Sequence, residues 1–256
     1  LLVEAYIEVK NNDSNLAKDY LEKAIKIDAR ENIKISTQLP DNRNIICNPA
    51  VNYTIYVPQD VDTFITNVVG NINAQDLLNT LVIDNNNGEI VVSNINGNVD
   101  IKNSLGTVQA NNIEGIVSID NKEGSINVEK IHGNANLTAN LGSITARDVT
   151  GYLTAKNSNG SIKATDIKGE ADLKTSLGSI TMENLYKKIT ASTSSGSIKL
   201  DNTFELEDDV LLSTGFGNIQ VFCPSVNNAT VRASTGFGNI QSEGLLDIDK
   251  KGDGCT

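Results

Sequence analysis

The sequence predicts an all-β protein: a single-domain parallel β-helix of 18-residue coils with an N-terminal cap of strands and one helix. Three observations carry that reading. Glycine recurs on a fixed count, apolar residues alternate between the glycines, and the composition favours strands closed by tight turns. The 256 residues include 39% hydrophobic residues but only 4% aromatics, one Met and no Trp. Such a chain can bury a core but lacks the bulky side chains on which helical bundles pack.

The first seventy residues differ from the rest. "LLVEAYIEVK" alternates as a strand. "SNLAKDYLEKAIKI", from Ser14, places Leu16, Ala17, Tyr20, Leu21, Ala24 and Ile25 on one helical face behind a Ser N-cap. "ENIKISTQL" and "VNYTIYVP" read as two more strands. A stacked sheet exposes unpaired edges at its ends, so residues 1–69 are expected to form a cap continuous with the solenoid and to block strand addition.

Residues 70–243 carry the repeat. Glycines stand at 70, 88, 106, 124, 142, 160, 178 and 196, a period of eighteen without a slip, and a second set at 97, 115, 133, 151 and 169 lies midway. Asn79 fills the half-way slot of the first unit, as a residue that tolerates positive φ, and Lys187 fills it less well in the last. Two residues after each major glycine comes Ile or Val, as in Ile126, Ile144 and Ile162. The fourth position holds Ala146, Ala164 and their counterparts, and the seventh Ile113, Ile131, Val149 and theirs. Alternation resumes after the minor glycine, as in Val117 and Ile119 or Leu153 and Ala155, giving two short strands per unit. Eighteen residues cannot bury their apolar face alone, so each unit stacks on its neighbours as one coil about 4.8 Å from the next.

Further rows support stacking in register. Asn85, Asn103, Asn121, Ala139, Asn157, Thr175 and Thr193 fall fifteen residues after the major glycines and form a ladder able to bond from coil to coil. Leu105, Leu141 and Leu177 recur every second coil just before the glycine and read as core packing. The spacing then lengthens to twenty-one, from Gly196 to Gly217 and on to Gly238, with the extra residues in loops around 203–209 and 223–229. Phe216 and Phe237 precede these last glycines, placed to plug the widening end of the core. Residues 244–256 read as a short C-terminal cap and linker.

A net charge of -11 opposes binding to nucleic acid, which needs Lys and Arg clusters. No run of eighteen apolar residues is present, so no transmembrane segment is expected, and a start at Leu1 without Met suggests an upstream signal or anchor. Cys47, Cys223 and Cys255 lack zinc-site spacing, and a Cys47 to Cys223 disulfide is left open.

No catalytic, cofactor-binding or metal-binding residue is expected. Glu129, Arg147, Glu183 and Asp201 belong to an outward fifth-position row, and Asp148 and Asp166, in the sixth, stack one coil apart and read as a solvated surface row before a catalytic pair. His132 is the only histidine, which removes any multi-histidine metal site and leaves a Ser-His-Asp triad no other candidate base, and it reads as solvated loop. Glu205, Glu207, Asp208 and Asp209 lack the frame of a calcium loop. Tyr152 and Tyr186 flank the half-way corner two coils apart, where rings could stack on a glycan or a partner side chain. Ser125, Ser143, Ser161, Ser179 and Ser197 form a hydroxyl row read as turn-stabilising, and not as an ice-binding face, since Lys163 and Lys199 interrupt it. N-x-S/T sequons begin at Asn12, Asn52, Asn136, Asn159 and Asn228 and matter only in a glycosylating host.

The amphipathic helix, the strand ending "YTIYVP", the coils written "NLGSITARDVTGYLTAKNSNGSIKATDIKG" and the closing "STGFGNI" together resemble the toast-rack family, the adhesin-type β-helices of bacterial and archaeal envelope proteins. The resemblance covers nearly the whole chain, and its phrases form the fold and carry no chemistry. It implies a non-enzymatic interaction or adhesin-like module, at the cell surface or otherwise extracytoplasmic, whose partner is a protein or a glycan. An envelope-stress sensing module acting through a membrane partner is the alternative, and a polysaccharide-cleaving enzyme a third.

Overall fold

The computed structural model describes residues 2–8, 25–28, 34–37, 50–227 and 229–243. The chain divides into two compact units, Leu1–Pro58 and Gln59–Thr256. In the first, Leu2–Glu8 pairs antiparallel with Ala50–Tyr56, and Ile25–Asp28 with Lys34–Thr37. The strands expected from the sequence are thus present. Residues 14–24 of the expected helix lie outside the described residues, and its last residues, Ile25 to Ile27, belong to a strand instead. An Ile-Lys-Ile alternation of β-branched residues suits that pairing.

The second unit is a parallel β-helix of about ten coils. Each coil contributes one strand to each of two ten-stranded parallel sheets. The first face holds the strands that follow a major glycine, from Ile72–Leu77 to Ile240–Glu243, and the second those that precede one, from Thr63–Val69 to Val231–Phe237. The stack therefore begins at Thr63, within the segment that the sequence suggested for the cap. Registers match the count: Ile126 pairs with Ile144 and Ile144 with Ile162, and Val210 and Val231 keep the register across the 21-residue coils.

Glycine serves both corners for different reasons, and holds the major one in every coil while Asn79 and Lys187 fill two of the minor slots. Gly160 has φ +149, a region open to residues without a Cβ. A Cβ there would also lie on the carbonyl oxygen of Gly142, one coil earlier, far inside 3.0 Å. At the minor corner Gly151 has no positive φ, and neither does Asn79, contrary to the sequence expectation. There the obstacle is space alone, since a Cβ on Gly151 would meet the Gly133 carbonyl and the Asn134 amide.

On the first face the second and fourth residues after the major glycine point inward, yet so does the seventh. The sixth residue accounts for the change of parity. Asp76, Asn94, Asn112, Lys130, Asp148, Asp166 and Asn184 all have φ between 51 and 60. Pairing skips them, passing from Asn111↔Glu129 to Ile113↔Ile131. Each is an extra residue in a β-bulge that turns its strand toward the minor corner. Asn and Asp fill six of the seven positions because their short polar side chains tolerate left-handed backbone best. The bulge ends in the 21-residue coils. Asn202 and Cys223 occupy the sixth position there, 4% and 5% exposed, and simple alternation returns. The Asn202 amide accepts from the Leu185 N–H at 3.0 Å and donates to the Leu185 carbonyl at 2.8 Å, taking the place of backbone that has left the sheet.

The core lies between the faces. Ala135, Leu153, Ala171 and Ile189 stack in one column and Leu137, Ala155, Leu173 and Ala191 in the next, so large and small residues alternate out of phase and interlock. Leu105, Leu141 and Leu177, expected in the core, are instead 45%, 41% and 55% exposed. Phe216 and Phe237 do not plug the core either: they are 59% and 70% exposed and stack with centroids 5.0 Å apart. The second-face strands send their first, third and fifth residues inward and leave the sixth and seventh outside as the chain enters the corner.

The ladder is buried and bonded. Asn67 donates to Asn85 and Asn85 to Asn103, each at 3.0 Å. Asn121, Asn157, Thr175, Thr193 and Thr214 donate to the carbonyl of the major glycine one coil below their own corner, at 2.6–3.0 Å. Ala139 breaks the series, and Oδ1 of Asn157, above it, is buried without a donor, as is Oδ1 of Asn121 above Asn103.

Gly160→Ala is expected to lower stability by at least about 3 kcal/mol, since strain and overlap with backbone act together. Ala139→Asn is expected to raise it by about 1 kcal/mol by supplying a donor to the Gly124 carbonyl, as Asn121 and Asn157 do for theirs. Urea unfolding of the two variants measures both, and a destabilised Ala139→Asn would refute the ladder argument.

Candidate interaction surface

The minor corner forms a ridge along one edge of the solenoid. Gly151 turns the chain so that Tyr152 projects outward, and the Tyr152 N–H is held by Asn134 Oδ1 at 2.9 Å. The ring is 55% exposed and borders two shallow depressions. One, of about 210 Å³, is lined by Tyr152, Thr154, Glu170, Asp172, Lys188 and Thr190. The other, of about 480 Å³, adds Thr150, Lys168, Lys187 and Asp208 around the same ring. Tyr186, two coils on, does not combine with Tyr152. It stacks on Phe204 at 4.3 Å between centroids, while Lys187 pairs with Asp208 at 3.5 Å. Phe204 escaped the sequence reading. The signal was a lone aromatic in an acidic insertion attached to a corner that already carried a tyrosine.

The remaining candidate residues take part in the fold. Asp148 and Asp166 are bulge residues with left-handed φ, and Asp166 accepts from the Asn184 amide at 3.1 Å. The same row bonds from coil to coil at Asp76, Asn94 and Asn112, at 2.9 Å each step. In the neighbouring row Glu183 is held by Lys163 at 3.0 Å and Asp201 by Lys199 at 3.1 Å, while Arg147 is exposed. His132 is exposed beside its corner glycine, and its backbone N–H donates to the Ile113 carbonyl at 2.8 Å.

The acidic insertion is divided among separate partners: Glu205 accepts from Ser225 Oγ at 2.9 Å, Asp209 from the Thr230 N–H at 2.8 Å, and Asp208 faces Lys187. Among the described residues no three His, Cys, Asp or Glu side chains converge as metal ligands. The serine row is spent on turns. Oγ of Ser125, Ser161, Ser179 and Ser197 each accept from the backbone N–H of the next coil at 3.2–3.4 Å.

Cys223 is buried, and desolvation pushes its thiol above the ordinary value, so it stays neutral and unreactive. Cys47 and Cys255 lie outside the described residues. Of the sequon asparagines, Asn136 and Asn159 are exposed on the second face, while Asn12 and Asn228 lie outside the described residues. Among the described residues no helix is long and apolar enough to cross a membrane.

Lys130→Asn tests the structural role of the bulge row. Asparagine suits φ 56 better than lysine and places an amide beside Asn112, so thermal unfolding is expected to show a gain of about 1 kcal/mol. Comparison of the chain with family models, with curated proteins and with solved structures finds no match.

Proposed function

We propose that this chain is a non-enzymatic β-helical interaction module of the cell envelope, adhesin-like in the manner of the toast-rack proteins its sequence resembles. It holds a protein or glycan ligand against the minor-corner ridge. The observation that carries this reading is the Tyr152 ring, 55% exposed between two depressions that offer hydroxyl, carboxylate and ammonium groups. An exposed aromatic face beside hydrogen-bonding groups is suited to a sugar ring or to an apolar partner side chain. The rows with catalytic potential support the same reading, because Asp166 is bonded by Asn184, Glu183 paired with Lys163 and Asp201 paired with Lys199. The sequence resemblance supports an extracytoplasmic placement.

The labelled protein is expected to bind intact envelopes saturably, with soluble envelope glycans or released surface proteins as competitors. Tyr152→Ala is expected to weaken binding about tenfold and leave thermal unfolding unchanged. Binding indifferent to Tyr152, or release of new reducing ends from a polysaccharide, would overturn the proposal.

A further inference from the structure

The second face carries a column of outward side chains at the position before each major glycine. Val69, Leu105, Leu141, Leu177 and Phe216 occupy every second coil of this column, each at least 41% exposed, and Phe237 extends it by one coil. Asn87, Glu123, Asn159 and Ser195 occupy the coils between, as the strand register shows. With coils about 4.8 Å apart, the apolar groups repeat every ~9.6 Å over about 38 Å. From Val69 to Phe216 the order of apolar and polar residues reads the same in both directions, with Leu141 at its centre.

We propose that this column is the contact by which two copies of the chain associate, antiparallel, about a two-fold axis through Leu141. That symmetry sets Leu141 against Leu141, Leu105 against Leu177 and Val69 against Phe216. At the levels between, Glu123 meets Asn159 and Asn87 meets Ser195, so no like charges oppose each other within the column. The adjoining row is small and polar at Ser104, Asn140, Ser158, Ser176 and Ser194, and its one charged member, Lys122, meets Ser158 under the two-fold.

The spacing selects a second copy as the occupant. Its repeat is set by the same strand separation and stays in register along the whole column. A helix with an apolar residue every seventh position repeats at about 10.5 Å and slips by nearly 4 Å over four repeats. A strip about 38 Å long and 15–20 Å wide buries roughly 1,200–1,500 Å² over both partners, at the lower end of a standard interface. The inference is independent of the ligand proposed for the ridge, which lies at the other corner.

Sedimentation equilibrium of the full chain is expected to show a monomer–dimer equilibrium. Leu105→Ser should weaken it about tenfold, and Leu141→Asp, which meets itself on the axis, at least about a hundredfold. Cysteine trapping tests the symmetry in a background with Cys47, Cys223 and Cys255 replaced by alanine. Leu141→Cys alone should form a disulfide-linked dimer on mild oxidation. Leu105→Cys should do so only when mixed with Leu177→Cys. A monomer at every concentration, a dimer indifferent to both substitutions, or Leu105→Cys linking to itself would overturn the proposal. Capture of an oligosaccharide or helical peptide on the column by a chain that remains monomeric would also overturn it.

Discussion

Each corner of this solenoid places a backbone carbonyl where a side chain on the coil above would have to go. Strand spacing brings successive corners so close that Gly142 and Gly160, or Gly133 and Gly151, stand in direct backbone contact. Glycine at the major corner is therefore a condition for the next coil to settle, and the condition passes along the stack, whereas the minor corner also admits Asn79 and Lys187. The period of eighteen residues, the register of both sheets and the interlocking core columns all depend on it. The major corner adds a second requirement through its positive φ, which explains why no other residue type stands there from Gly70 to Gly238.

Polar side chains complete what the glycines begin. A corner that turns sharply leaves carbonyl groups facing inward, and buried acceptors without donors are costly. The ladder of Asn and Thr supplies those donors from within the core. Outside, Asn and Ser side chains of one coil accept the corner N–H groups of the next. Much of the polar patterning that resembles a site in the sequence thus satisfies the backbone, and the aromatic ridge and the apolar column are what remain turned outward.

The sequence made the period, the two strands per coil, the ladder and the position of the 21-residue insertions legible, because each follows from residue type at a fixed spacing. It did not disclose the bulge. Asp148 and Asp166 look like an outward pair in any counting scheme, and only their left-handed φ shows why the seventh residue rather than the sixth turns inward. The same limit misplaced Leu105, Leu141 and Leu177. An apolar residue at a regular interval is expected inside, and nothing in its identity reveals that the strand leaves two consecutive residues outside at its end. Of the surface site, Tyr152 and Tyr186 were visible, but the stacking of Tyr186 on Phe204 depends on how a loop folds back, which periodicity does not encode.

Asn202 separates chain length from architecture. By closing the open rung at Leu185 with its own amide, it lets the polypeptide leave the sheet and return at Val210 without disturbing either neighbour. A solenoid with such a terminator at a corner can accept foreign segments there, since lengthening a surface loop costs only slowly increasing closure entropy. The insertion at 203–209 is one such lengthening, and it returns Leu206 to the interior, 2% exposed, before the sheet resumes.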